Sequence, residues 1–281
     1  MIPYHEHLKT RYMPAKENVR KMFDNIAAAY DKLNHILSLD IDRAWRKKAV
    51  KEIVDCSSRI AILDVACGTG DFSIAIARKI TGRSLVIGVD LSANMLDIGR
   101  KKIVREGLQD KILLEQGDCE QLRFPDGNFD RVSAAFGVRN FEHLETGIKE
   151  MYRVLKPGGK VVILELSVPD NRILRALYKL YFLHILPAVG GIISGNREAY
   201  RYLPASVLRF PEPQAFADIM SSCGFSDVRT TAFSAGICRM YTGTKGQGCL
   251  KQEDHEAGPG ENGEKEGRDY KERQLGVEGL A

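Results

Sequence analysis

Apolar residues recur at three- and four-residue spacing over 17–30, where Val19, Met22, Phe23, Ile26, Ala27 and Tyr30 fall on one side of a helix. That spacing predicts an amphipathic helix laid on an apolar surface, and a second helix is predicted over about 42–54. From residue 60 the pattern changes. Short apolar runs at 60–66, 84–89, 112–115, 129–134 and 160–166 read as strands, and between them 72–80, 93–105 and 144–155 have helical length and period. Strand and helix in alternation predict a mostly parallel sheet covered on both faces. A further helix at 213–223 leads into two strands, 226–233 and 236–243, whose short link Ser234-Ala235 predicts a hairpin closing the sheet edge. The expected organisation is an α/β fold with seven strands: an N-terminal helical extension over 1–55, a main domain over 56–245, and a tail over 246–281.

The 281 residues are 44% hydrophobic, enough to bury a sizeable core. The net charge of +4 hides an asymmetry, because residues 244–281 carry six Lys or Arg against nine Asp or Glu, leaving 35 against 28 in the body. That tail is rich in Gly, Glu, Lys and Gln and nearly free of apolar residues, a composition that predicts disorder. The basic residues of the body are spread rather than run together, which argues against a nucleic-acid binder. The six cysteines (Cys56, Cys67, Cys119, Cys223, Cys238 and Cys249) form no CxxC pair and have no His at ligand spacing, so reduced thiols in a cytoplasmic compartment and no metal are expected. The first residues lack the apolar core of a signal peptide, and no uncharged apolar run is long enough to span a bilayer.

The chemistry concentrates at Ile62-Leu63-Asp64-Val65-Ala66-Cys67-Gly68-Thr69-Gly70-Asp71, a buried strand running into a glycine loop and a helix. Gly68 and Gly70 let the backbone approach a ligand. Twenty residues on, Asp90 ends the second strand, where a carboxylate can take both hydroxyls of a ribose, and Asp118 and Cys119 end the third, placed to meet an adenine. A dinucleotide site would show a third glycine, and Ser73 stands there instead. With Asp64 just before the loop, the cleft suits a cationic sulfonium, S-adenosylmethionine, better than the pyrophosphate of NAD. The binding set expected is Asp64, Gly68, Thr69, Gly70, Asp90, Asp118 and Cys119.

These residues, with the run Arg153-Val154-Leu155-Lys156-Pro157-Gly158-Gly159, resemble the Rossmann-like class I methyltransferases. Further segments resemble one branch, the C-methyltransferases of ubiquinone and menaquinone biosynthesis. They are Tyr30-Asp31-Lys32-Leu33-Asn34 with Ser38, Arg43-Ala44-Trp45-Arg46, Phe136-Gly137-Val138-Arg139-Asn140, and Gly195-Asn196-Arg197-Glu198-Ala199-Tyr200-Arg201-Tyr202-Leu203. The likeness spans about 15–245. Asp42 departs from the family's usual His and Cys119 from its usual Ala. What the resemblance implies is methylation of a ring carbon on a polyprenyl quinol, demethylmenaquinol first and the benzoquinol precursor of ubiquinone second.

Such chemistry needs proton removal and a cation beside the developing oxyanion. Arg139, after the fourth strand, is expected to supply the cation and Asn140 to orient the same oxygen, unless Arg139 instead pairs with Glu165 or Asp130. Tyr30, Asp31, Tyr200 and His143 are candidates to pass the proton. Trp45 and His184 read as packing residues. The segment 172–193, apolar with Arg172, Arg175 and Lys179 at one end, reads either as part of a substrate lid over about 172–210 that lines a tail tunnel or touches the membrane surface, or as ordinary packing over the sheet. A homodimer is carried as an expectation. The rival classes are an RNA or other small-molecule methyltransferase, an NAD oxidoreductase, and a cofactor-binding scaffold without turnover. The absence of Asn/Asp-Pro-Pro-Tyr after the fourth strand argues against a nucleobase substrate.

Overall fold

The computed structural model describes residues 15–38, 40–54, 59–181 and 197–247. Cys56, His184, Cys249, residues 195–196 and the expected tail from 248 onward lie outside them, as do the side chains of 29, 32–37, 179 and 197–201.

Among the described residues two helices come first, α1 (Lys16–Ser38) and α2 (Ile41–Ile53). The chain then alternates β1 (Ala61–Val65), α3 (Asp71–Ala77), β2 (Leu85–Asp90), α4 (Ala93–Arg105), β3 (Ile112–Gln116), β4 (Phe129–Ala135), α5 (Leu144–Val154) and β5 (Leu155–Leu166). It ends with α6 (Arg172–Leu180), α7 (Arg197–Arg209), α8 (Pro213–Ser222), β6 (Phe225–Phe233) and β7 (Cys238–Lys245). One sheet takes the order β3-β2-β1-β4-β5-β7-β6. The first five strands are parallel, and β7 inserts antiparallel between β5 and β6.

The central strands are continuous apolar runs because both of their faces are covered. Ile62, Leu63 and Val65 of β1 and Val161–Leu164 of β5 are fully buried. On one face α2, α3 and α4 bring Trp45, Ala49, Phe72, Ile76 and Leu96 against the sheet. On the other, α5 and α8 bring Ile148, Met151, Phe216 and Met220. A third cluster of Ile26, Ala27, Met95, Tyr178 and Val207 joins α1, α6 and α7. The expected N-terminal extension is therefore no separate layer: α2 belongs to the main core, where Trp45 also donates to the Ser234 hydroxyl at 3.0 Å. The described residues form one compact unit.

The run at 155–160 differs from expectation. It belongs to β5, pairing Leu155 with Phe129 and, after a bulge, Lys160 with Arg131. Pro157 is tolerated there because a bulge leaves it outside the ladder. The closing hairpin forms, with its link widened to a short 3-10 turn at Ser234–Gly236.

Candidate active site

Strands β1 to β4 end on one edge, and the residues that follow them line a cleft roofed by α1. At its floor the loop after β1 turns sharply. Gly68 has φ +56, and a Cβ added there meets nothing within 4 Å, so that face of the loop is open to whatever occupies the cleft. Gly137, after β4, is needed for closeness instead: its Cβ would lie 2.6 Å from that of Ala66.

Asp64 is wholly buried and accepts hydrogen bonds from Ser73 at 2.6 Å and Ser133 at 2.9 Å. Ser73 thus occupies the expected third-glycine position for a reason, holding the carboxylate. Burial pushes the Asp64 carboxyl up to about 6 against these two hydrogen bonds. Asp90 accepts the Gly68 amide at 2.8 Å on one oxygen and the Ser92 amide at 2.9 Å on the other. Burial raises its pKa too. A carboxylate has about four acceptor positions, so these two hydrogen bonds leave room for a ligand hydroxyl.

Other expected residues are engaged differently. Asp118 is bound by the Lys16 ammonium at 2.6 Å and by the Glu120 amide at 2.8 Å. The acid expected to meet an adenine is therefore held by a lysine from the start of α1. Thr69 lines the cleft, but its hydroxyl donates to Asp31 at 2.5 Å. Lys102 joins both, contacting Asp31 at 2.8 Å and also Asp71. Asp31 and Thr69 therefore tie α1 to the glycine loop. Cys119 lines the cleft, and its thiol, whose pKa burial raises, accepts the Ala66 amide at 3.3 Å under the loop. Gly70, at φ +78, caps α3.

Arg139 corrects the expectation most. Its side chain is 5% exposed and paired with the fully buried Glu165 at 2.7 Å, and it donates to the Phe136 carbonyl. Glu165 also takes the Arg139 amide at 3.1 Å. Burial works against the guanidinium charge, and Glu165 together with Tyr30 and Tyr202 more than offsets it, so the pKa ends above the ordinary value. The pair braces the 3-10 turn Val138–Asn140, and the core-pairing alternative is what the structure shows. Asn140 does line the cleft and accepts the Tyr202 hydroxyl at 3.0 Å. Tyr30 lines the cleft with its ring edge-on to Phe23. His143 is held by Glu120 at 3.0 Å with 65% of its side chain exposed, outside the cleft lining. Tyr200 lies in α7 with its side chain outside the described residues.

Sequence reasoning missed how α1 is fastened. Lys16 also reaches Glu120 at 3.4 Å, and Asp24 accepts the Ser92 hydroxyl at 2.6 Å. With α1 docked the cleft encloses about 100 Å³, below the roughly 300 Å³ at which small-molecule sites begin. Among the described residues no His, Cys, Asp and Glu cluster fits a metal, and no helix is long and apolar enough to cross a membrane.

The sequence pattern of the ubiE/COQ5 methyltransferase family matches residues 11–245. The chain is 45% identical over 229 residues to the demethylmenaquinone methyltransferase of Bacteroides fragilis, covering 82% of this chain and 93% of that one. It is 45% identical over 230 residues to the ubiquinone/menaquinone biosynthesis C-methyltransferase UbiE of Geobacter sulfurreducens, covering 82% and 89%. Among solved structures, Haemonchus contortus phosphoethanolamine N-methyltransferase 2 in complex with S-adenosyl-L-methionine superposes with a TM-score of 0.55 at 17% identity. That match covers 73% of this chain and 53% of the other, a likeness of fold alone.

Proposed function

Since the chain belongs to the ubiE/COQ5 methyltransferase family, we propose that it transfers a methyl group from S-adenosylmethionine to a ring carbon of a polyprenyl quinol, demethylmenaquinol in the first instance. The observation that carries the cofactor reading is the charge of the cleft. Asp64, Asp71, Asp90, Asp118 and Glu120 line it against Lys16, Arg20 and Arg46, an excess of carboxylates that attracts a sulfonium and an ammonium and repels a diphosphate. Asp71 in the first turn of α3 adds to this, since that is where a dinucleotide would place its phosphates. The open face at Gly68 and the unused acceptor positions of Asp90 fit the nucleoside.

When bound, S-adenosylmethionine supplies an electrophilic methyl group. The residues of this chain then have two tasks, to align the acceptor carbon and to keep water out. Asn140, held by Tyr202, is placed to orient a quinol oxygen, and Tyr30 walls the same end of the cleft. The Glu165–Arg139 pair keeps the turn that carries Asn140 in place.

The prenyl tail calls for an apolar surface, and α6 offers one. Ile173, Leu174, Leu177 and Leu180 are 40–73% exposed beside the exposed Arg172 and Arg175. This supports peripheral contact with the inner face of an anionic membrane. The demethylmenaquinone name of the Bacteroides fragilis relative supports the naphthoquinol over the benzoquinol. Mass spectrometry of quinones from cells lacking the protein tests the reading: demethylmenaquinone accumulates if it is right. An accumulating benzoquinol precursor would move the substrate to the second ring, and an unchanged quinone pool would refute both.

A further inference from the structure

A second cavity of about 860 Å³ runs over α3 between α2 and the C-terminal end of α4. Its lining is strongly one-sided, with eight Lys or Arg against Asp31, Asp71 and Glu106. Four of these cations are committed: Lys102 holds Asp31 and Asp71, Arg46 pairs with Asp42, Arg78 meets Glu106 at 2.5 Å, and Arg43 meets Asp40 at 3.2 Å. Four are not. Lys47 and Lys51 on α2, Lys79 just past α3 and Arg105 at the end of α4 are exposed, and their side chains make no ion pair or hydrogen bond among the described residues.

Basic residues in the last turn of a helix complement its dipole, which accounts for Lys51 and Arg105 singly. It does not account for Lys47, nor for cations from three elements converging on one concavity. Like charges brought together repel unless an anion sits among them, and a groove with low-dielectric walls focuses that field. Lys47 and Lys51, one helical turn apart, present about 6 Å of spacing along one wall. One phosphate fills a small part of about 860 Å³, whereas a chain of phosphates or a layer of headgroups can meet cations from more than one element.

We propose that this groove binds a ligand bearing two or more phosphate groups, at a site separate from the methyl-transfer cleft. Arg46 and Asp71 border both cavities, so the test reads binding directly rather than through turnover. Sodium tripolyphosphate is titrated calorimetrically into the full chain at a constant ionic strength of about 0.15 M. In parallel, phosphatidylglycerol and phosphatidylcholine vesicles are sedimented with it, with and without tripolyphosphate. The variant is Lys47→Glu with Lys51→Glu, both exposed and outside the methyl-transfer machinery, with an unchanged melting temperature as the fold control.

Tripolyphosphate binding that weakens at least about tenfold in the variant supports the proposal and places the ligand in solution if phosphatidylglycerol vesicles are ignored. Sedimentation with phosphatidylglycerol that tripolyphosphate displaces, and that the variant loses, supports it with a headgroup as the source. No tripolyphosphate binding at millimolar concentration together with no displaceable sedimentation overturns it. Binding of either kind that the variant leaves unaltered overturns it as well.

Discussion

Replacing Asp64 by asparagine separates what this residue does for the fold from what it does for the cofactor. Asp64 is fully buried, with its carboxyl raised to about 6 by burial, against an ordinary 3.8. Between those values the native state binds a proton that the unfolded state releases. Stability is therefore favoured below pH 3.8 and lost as pH rises through 6, and above it the native chain carries the full cost of a buried charge. Two pK units at about 1.4 kcal/mol each put that cost near 3 kcal/mol. Asparagine removes the charge but keeps the shape, and the Ser73 and Ser133 hydroxyls can turn to pair with its amide. The cofactor-free Asp64→Asn protein should thus melt about 6–12 °C higher at pH 8. Its affinity for S-adenosylmethionine should fall by about 30-fold or more, the usual loss when one member of a buried charge pair goes. Thermal melts without ligand and calorimetric titration with it read the two effects. A variant that melts lower yet binds S-adenosylmethionine normally would refute this account of Asp64. In the unaltered protein the same affinity should weaken as pH is lowered through about 6.

Three further perturbations test the remaining contacts. Glu165→Gln leaves the Arg139 guanidinium buried without its partner and should cost about 3–5 kcal/mol in denaturant unfolding; Glu165→Met combined with Arg139→Met should recover most of that stability while activity stays low. Tyr202→Phe removes the hydroxyl on Asn140, at no more than about 1.5 kcal/mol of stability, and steady-state kinetics should show a raised KM for the quinol with S-adenosylmethionine affinity unchanged. Lys16→Ala releases α1 from Asp118. Because both side chains are 29% exposed, the melting temperature should barely move, while stopped-flow should show faster entry and exit of S-adenosylmethionine.

The alternating sheet was legible in the sequence because the central strands, β1 and the 161–164 part of β5 above all, are buried on both faces and leave apolar runs between helical segments. The bulge at 155–160 was not, since Lys-Pro-Gly-Gly carries the composition of a turn and only its pairing with β4 makes it strand. At the site, Gly68 and Asp90 stand where their motif puts them, because their roles are set within one strand and its loop. Arg139 went otherwise: its partner Glu165 lies 26 residues away on the neighbouring strand, and among several carboxylates no local pattern selects it. The Lys16–Asp118 latch spans 102 residues and could be seen only once α1 was folded over the cleft. Ser73 was noticed as a missing glycine, and its positive role required knowing that it faces Asp64.

This cleft is proposed to deliver a methyl group from S-adenosylmethionine to a quinol carbon. Purified protein supplied with methyl-labelled S-adenosylmethionine and reduced demethylmenaquinone in detergent should yield menaquinol carrying the label on its ring, located by fragment mass spectrometry. Label that stays in the donor while the protein binds NAD tightly, or that appears on a quinol oxygen, would contradict it.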